Sequence, residues 1–121
     1  LMIISKRLKT IAELVPNNSN VIDVGCDHAL LDIYLSLEKN CTCQACDINK
    51  NALKQAVNNI SKYNLETKIK TYLTDGLNNI TYQEAMDDFN YIDNKLIVLN
   101  QITRWSIDLS NLNKIEGGIK L

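Results

Sequence analysis

Asp23, Gly25, Asp27 and His28 crowd into the stretch "DVGCDHALL", and these are residue types that can do chemistry at a turn. Gly25 lets the backbone approach a ligand with no Cβ in the way. Asp23 and Asp27 bring negative charge to the same place. His28 is the single histidine of the chain. Imidazole is the side chain that exchanges protons most readily at physiological pH, so His28 is a candidate base or proton shuttle. The alternative for His28 is a helix-start residue bonded to backbone.

The ligand class follows from charge. A Gly-x-Gly-x-x-Gly dinucleotide fingerprint would need glycines where Asp27 and Leu30 stand. A carboxylate at Asp27 also repels the pyrophosphate that such a ligand places near a helix N-terminus, which disfavours NAD. A ligand with an ammonium and a sulfonium, such as S-adenosylmethionine, is instead attracted by Asp23 and Asp27. About 20 residues after the turn, Asp47 ends a second apolar run, where a carboxylate can accept both ribose hydroxyls. Asp75-Gly76 ends a third, where it can meet an adenine edge. Each residue also has a purely structural use: Asp47 as the cap of the helix that starts near Lys50, Asp75-Gly76 as a plain turn, Gly25 as a site of tight strand-helix packing. Three acidic loop ends in successive strand-helix units favour the nucleoside cofactor.

The elements that must hold these residues are read from hydrophobic period. Ser5 can cap a helix in which Leu8, Ile11, Ala12 and Val15 recur, and Pro16-Asn17-Asn18 stops it. "NVIDVG" is a short β-branched strand ending at Gly25, followed by "ALLDIYLSLE", where Leu30, Ile33, Tyr34 and Leu37 form one helical stripe. "CTCQACD" suits a buried strand. "NKNALKQAVNNISKYN" sets Leu53, Ala56, Val57 and Ile60 on one helical face, and "TKIKTYL" alternates at period two. "KLIVLN" reads as a further buried strand, while "YQEAMDDFNYID" and "QITRWSIDLSNLNKIEGGIKL" give weaker signals. Strands separated by helices imply an α/β fold with a parallel sheet, which binds ligands beyond the carboxyl ends of its strands.

With 121 residues the chain fits one domain, 1–121, of ordinary globular composition, rich in Asn and poor in Gly and Pro. Thirteen basic residues against fourteen acidic ones leave no global footprint for gripping a polyanion, so RNA binding would need a local patch or a further domain. Lys6, Arg7 and Lys9 are such a local cluster, with a solvated helix face as the alternative use. No apolar run reaches the ~20 residues of a membrane span, and "LMIISKRLKT" sets its apolar residues before its basic ones, the reverse of a signal peptide. A cytoplasmic protein is expected. Cys26, Cys41, Cys43 and Cys46 are then reduced thiols. A strand would turn Cys41 and Cys43 to one face and Cys46 to the other, which argues against a metal site. Trp105 beside Arg104 could stack a base, although a lone Trp usually belongs to a core.

Taken together, "SKRLKTIAELVP", "VIDVGCDHALL", "ACDINKNALKQAVNNI" and "TDGL" resemble the bacterial tRNA (adenine-N1)-methyltransferases that modify adenosine 22, the TrmK family, over about residues 3–80. The resemblance implies a Rossmann-like class I methyltransferase sheet using S-adenosylmethionine. It puts the Asp23–His28 turn around the methionine end, Asp47 and Ile48 at the ribose side, and Asp75-Gly76 near the adenine. Asp27 and His28 become the candidates for touching the reacting base or taking its proton. That family continues with a strand ending in a Gly-Met-Gly-Gly loop and with a helical C-terminal domain that helps hold tRNA. Here "YQEAMDDFNYIDN" is too short and polar to supply the strand, and "KLIVLNQITRWSIDL" looks like the family's following strand and helix, as if a strand-helix unit were missing. Two functions follow from the resemblance: methyl transfer to N1 of a tRNA adenosine, or a silent cofactor-binding remnant that needs a partner chain for RNA.

Overall fold

The computed structural model describes residues 2–73, 95–100 and 118–120. Within them the chain runs α1 (Lys6–Leu14), β1 (Asn20–Val24), α2 (Leu30–Lys39), β2 (Thr42–Asp47), α3 (Lys50–Lys62), β3 (Ile69–Leu73), β4 (Lys95–Leu99) and β5 (Gly118–Lys120). All strand pairs are parallel, in the order β3-β2-β1-β4-β5. From β1 the chain steps outward to β2 and β3 and later returns to β4 on the other flank of β1. The switch point of the sheet therefore lies between β1 and β4, where a parallel sheet opens a crevice at its carboxyl edge.

Local sequence explains where the helices begin and end. Ser5 Oγ accepts the Leu8 N–H at 3.2 Å and starts α1. Asn49 accepts from the N–H groups of Asn51 and Ala52 and starts α3. The helix-capping use weighed for Asp47 thus belongs to Asn49. Asn18, Asn40 and Asn64 occupy left-handed backbone at φ 62°, 53° and 55°, just past the three helices, so the abundant asparagine supplies the turn conformations that glycine usually takes. Lys39 Nζ donates to the carbonyls of Ala12 and Val15 and ties the end of α1 to α2.

One buried cluster joins Ile11, Ala12 and Val15 of the first helical segment, Leu31, Ile33 and Leu35 of α2, Ala56 and Ile60 of α3, and Val21, Cys43, Ala45 and Ile69 of the sheet. The alternate sheet residues Ile22, Val24, Gln44 and Cys46 are buried as well, so both faces of the inner strands are covered. Two expected stripes shift. On α2 the buried side chains are Leu31, Asp32, Ile33, Leu35 and Ser36, while Leu30 and Leu37 are exposed. The cause is that α2 packs on β2 and between α1 and α3, so a wide, rotated face is covered. On α3, Ala52 takes the place expected for Val57, which is half exposed.

"KLIVLN" does form the expected strand, and it pairs directly with β1, Asp23 standing opposite Val98. The polar stretch expected to have lost a strand-helix unit lies outside the described residues, as do Asp75, Gly76, Arg104 and Trp105. Among the described residues, no helix is long and apolar enough to cross a membrane.

Candidate functional site at the switch point

The turn after β1 has Gly25, Asp27 and Ala29 at positive φ, 80°, 55° and 62°. Such alternation points successive N–H groups inward across the turn. Gly25 and Cys26 donate to the Cys46 carbonyl at 2.8 and 2.9 Å, Asp27 N–H donates to Asp47 Oδ2 at 2.8 Å, and Ala29 N–H closes on the Cys26 carbonyl at 2.9 Å. The other Asp47 oxygen accepts the Asn49 N–H at 2.8 Å. Asp47 is fully buried and staples the turn after β2 to the turn after β1. Asn59 of α3 adds a third tie, donating to the His28 carbonyl at 3.0 Å. A Cβ at position 25 would meet the left-handed penalty of about 1–2 kcal/mol. Gly25→Ala is therefore expected to lower the urea midpoint by an equivalent amount, and an unchanged midpoint would show that the turn relaxes freely.

Asp23 and Asp27, paired as attractors in the sequence, turn out to be unlike. Asp27 and His28 present their side chains outward, 37% and 49% exposed, with Oδ1 and Nε2 3.8 Å apart. Asp23 is sealed inside, on the strand face it shares with Val21. Asp32 of α2 meets it carboxyl to carboxyl. Burial pushes the Asp23 carboxyl up to about 6, against the Asp32 carboxyl and the Asn100 amide, which pull it down. Asp32 is pushed well above the carboxylate range, first by burial and then by the neighbouring Asp23 charge. Burial and the neighbouring Asp23 charge both disfavour an ionised Asp32, and its two oxygens, like Asp23 Oδ1, are buried without a hydrogen-bond partner at bonding geometry among the described residues, so at neutral pH Asp32 is the carboxyl that keeps its proton.

Asn100, the first residue after β4, extends this chain of contacts. Its Nδ2 donates to Asp23 Oδ2 at 3.4 Å, and it receives both arms of Arg7, Nη2 to its Oδ1 at 2.8 Å and Nη1 to its carbonyl at 3.1 Å. Lys6, Arg7 and Lys9 of the basic cluster on α1 are all exposed, and Arg7 differs in that its guanidinium reaches the switch point through Asn100. Arg7, Leu8, Cys26, Asp27, His28 and Asn100 line a hollow of about 50 Å³. On the next strands, Ile48 and Leu73 are exposed apolar side chains at 46% and 55%, and Leu73 is the register partner of Asp47. A larger groove of about 470 Å³, lined by Val57, Ile60, Ile69 and Tyr72 among others, lies between α3 and β3 and includes no residue of the turns after β1, β2 or β4.

Asn100, Asp32 and Asn59 escaped the sequence reading. Asp32 had a visible signal, an acid inside the apolar run "ALLDIYL". Arg7 had one too, since it lies four residues before buried Ile11, whereas Lys6 and Lys9 do not. Asn100 occupies a strand end like Gly25 and Asp47, but nothing local says that its strand adjoins β1. The four cysteines are buried and unlinked, and burial raises each thiol, which keeps them unreactive. Among the described residues no group of His, Cys, Asp or Glu could hold a metal ion.

A methyltransferase domain family matches residues 4–92. The Mycoplasma genitalium protein MG248, provisionally named a tRNA methyltransferase, is 41% identical over 78 residues, which are 62% of this chain and 34% of that protein. The tRNA (adenine(22)-N(1))-methyltransferase of Bacillus subtilis is 35% identical over 83 residues, 68% of this chain and 35% of that one. Among solved structures, TrmK of M. capricolum in complex with S-adenosylhomocysteine superposes with a TM-score of 0.62 at 31% identity, covering 81% of this chain and 41% of that chain. The chain spans about a third of the length of the curated relatives it matches.

Proposed function

The chain belongs to the methyltransferase domain family, and from that premise we propose that it binds S-adenosylmethionine at the carboxyl edge of β1 and β2 and serves methylation of N1 of an adenosine in tRNA. The observation that carries this reading is the Gly25–Ala29 turn at the switch point, where half-buried Asp27 and exposed His28 stand over a sealed network.

The residues present fit that cofactor. Gly25, at φ 80°, leaves room a Cβ would fill. Ala29 gives α2 no side-chain cap, so the helix start keeps N–H donors for an amino-acid carboxylate. Asp27 adds negative charge for an ammonium or sulfonium. Ile48 and Leu73 offer apolar contact to an adenine. Asp47 is the candidate for the ribose hydroxyls; it is fully buried with each oxygen holding a turn N–H, so that role requires the rim around it to open and its oxygens to accept a second donor. When bound, the cofactor supplies an electrophilic methyl group on a sulfonium. Methylation of adenine N1 leaves a cationic base. Asp27 can hold that charge, and His28 or Asp27 can accept the proton that the base then loses. Exposed Lys6 and Lys9 are the candidates for tRNA phosphates.

Titration calorimetry with S-adenosylhomocysteine should show binding to the folded chain and none with NADH; the reverse preference would overturn the proposal. Transfer of labelled methyl to unmodified tRNA should fall by about 100-fold in Asp27→Ala. The net charge of −1 favours one second reading, a cofactor-binding piece that relies on another chain for RNA. Cofactor binding without any transfer, restored by that other chain, would select it.

A further inference from the structure

We propose that Arg7 is a positioning residue that clamps the end of β4 to α1 and, through the Asn100 amide, fixes the Asp23 carboxylate beneath the cofactor turn. The inference rests on the cofactor reading above and extends it to residues that neither the turn nor the strand ends after β1 and β2 contain.

Arg7 is suited to the task by shape. A guanidinium presents donors in a planar fork, and here two of them meet two acceptors of one residue, the carbonyl and Oδ1 of Asn100, at 3.1 and 2.8 Å. With Oδ1 occupied by Arg7, the Asn100 amide can only turn Nδ2 toward β1, where Asp23 Oδ2 receives it. Asn100 is held from below too, its N–H donating to the Val24 carbonyl at 2.9 Å. Asn100 is 6% exposed, so rotation of its amide would leave buried donors and acceptors unmatched. The result is a continuous path from α1 across the switch point to the strand that carries the turn. Arg7 and Asn100 also line the 50 Å³ hollow with Asp27 and His28, so the same clamp sets the width of the hollow.

Among the described residues, the charged and titratable groups that act on Asp23 are Asp32 from α2, Asp47 from the end of β2 and Arg7 from α1, with the thiols of Cys26, Cys43 and Cys46 nearby. Arg7 is the one cation among these. Removing it raises the pH at which Asp23 ionises, on top of any loosening of the hollow.

The test measures S-adenosylhomocysteine affinity by calorimetry between pH 5 and 8, with a thermal melt of each variant. Arg7→Ala is expected to weaken binding about 10-fold and to move the pH midpoint of binding upward. Arg7→Lys, which keeps the charge but loses the fork, should restore the midpoint while recovering only part of the affinity. Asn100→Ala should weaken binding similarly, and the double variant should be no weaker than the weaker single one. Glu13→Ala, on the exposed part of α1, controls for loss of helix. Wild-type protein that fails to bind would defeat the cofactor reading itself. Wild-type binding with unchanged affinity and midpoint in Arg7→Ala, or strict additivity in the double variant, would overturn the clamp alone.

Discussion

Asp32→Asn is expected to stabilise the protein by about 1–2 kcal/mol at pH 8, because an amide stays neutral beside the buried Asp23 carboxylate with no proton to keep as the pH rises. The wild-type chain buries Asp23 and Asp32 together with no exposure. The folded Asp23 carboxyl ionises at about 6 rather than 3.8, and Asp32 ionises well above the usual range. Between those limits the folded state binds more protons than the unfolded one. The stability that the pair contributes is thus complete below about pH 4 and is lost as pH rises through about 6 and beyond. Wild-type melting temperature should fall from pH 5 to pH 8, the opposite of the usual behaviour of surface carboxylates. An Asn amide at position 32 is neutral and carries donors at any pH, whereas Asp32 is neutral only while it keeps its proton. The variant should therefore show a flatter profile, with its advantage growing toward pH 8. A variant less stable than wild type at both ends would refute the shared-proton pair.

Asp47→Ala should be among the most damaging single changes, costing about 3 kcal/mol. Both lost hydrogen bonds, at 2.8 Å each, go to the two oxygens of one buried carboxyl, and both donors are backbone N–H groups of the turns it joins. Asp27 would at the same time lose what holds its left-handed backbone, so cofactor affinity should fall together with stability. Asp47→Asn separates the two effects: it keeps one acceptor and turns an NH2 toward a donor, so it should lie between Ala and wild type in a urea melt. Equal losses for Asn and Ala would show that one of the two bonds contributes little. Unchanged stability in Asp47→Ala would contradict the staple.

Several residues of the candidate site draw notice before the fold. Gly25, Asp27 and Asp47 stand out because a turn between a strand and a helix restricts what can occupy it, and that restriction is local. Asp23 was expected to contact a ligand from its charge and its place near a strand end, and it is fully buried, on the strand face it shares with Val21 and close to Asp32 of the helix that follows. Ile48, which the family resemblance put at the ribose side, is an exposed side chain just past β2.

By itself the sequence determined the alternation of strands and helices, the cap of α1 and the turn after β1, since period, β-branching, Ser5 and Gly25 act over a few residues, whereas the cap of α3 fell to Asn49 and not to Asp47. Tertiary structure alone decided what covers each face and which strand ends meet. Periodicity offered Leu30, Ile33, Tyr34 and Leu37 as the face of α2, and flanking by α1 and α3 chose Leu31, Asp32 and Leu35 instead. Arg7 and Asn100 lie 93 residues apart, and they touch because the sheet reverses direction after β3 and brings β4 back beside β1. A bond of that separation has no local signature; it exists only once the order of the strands is fixed.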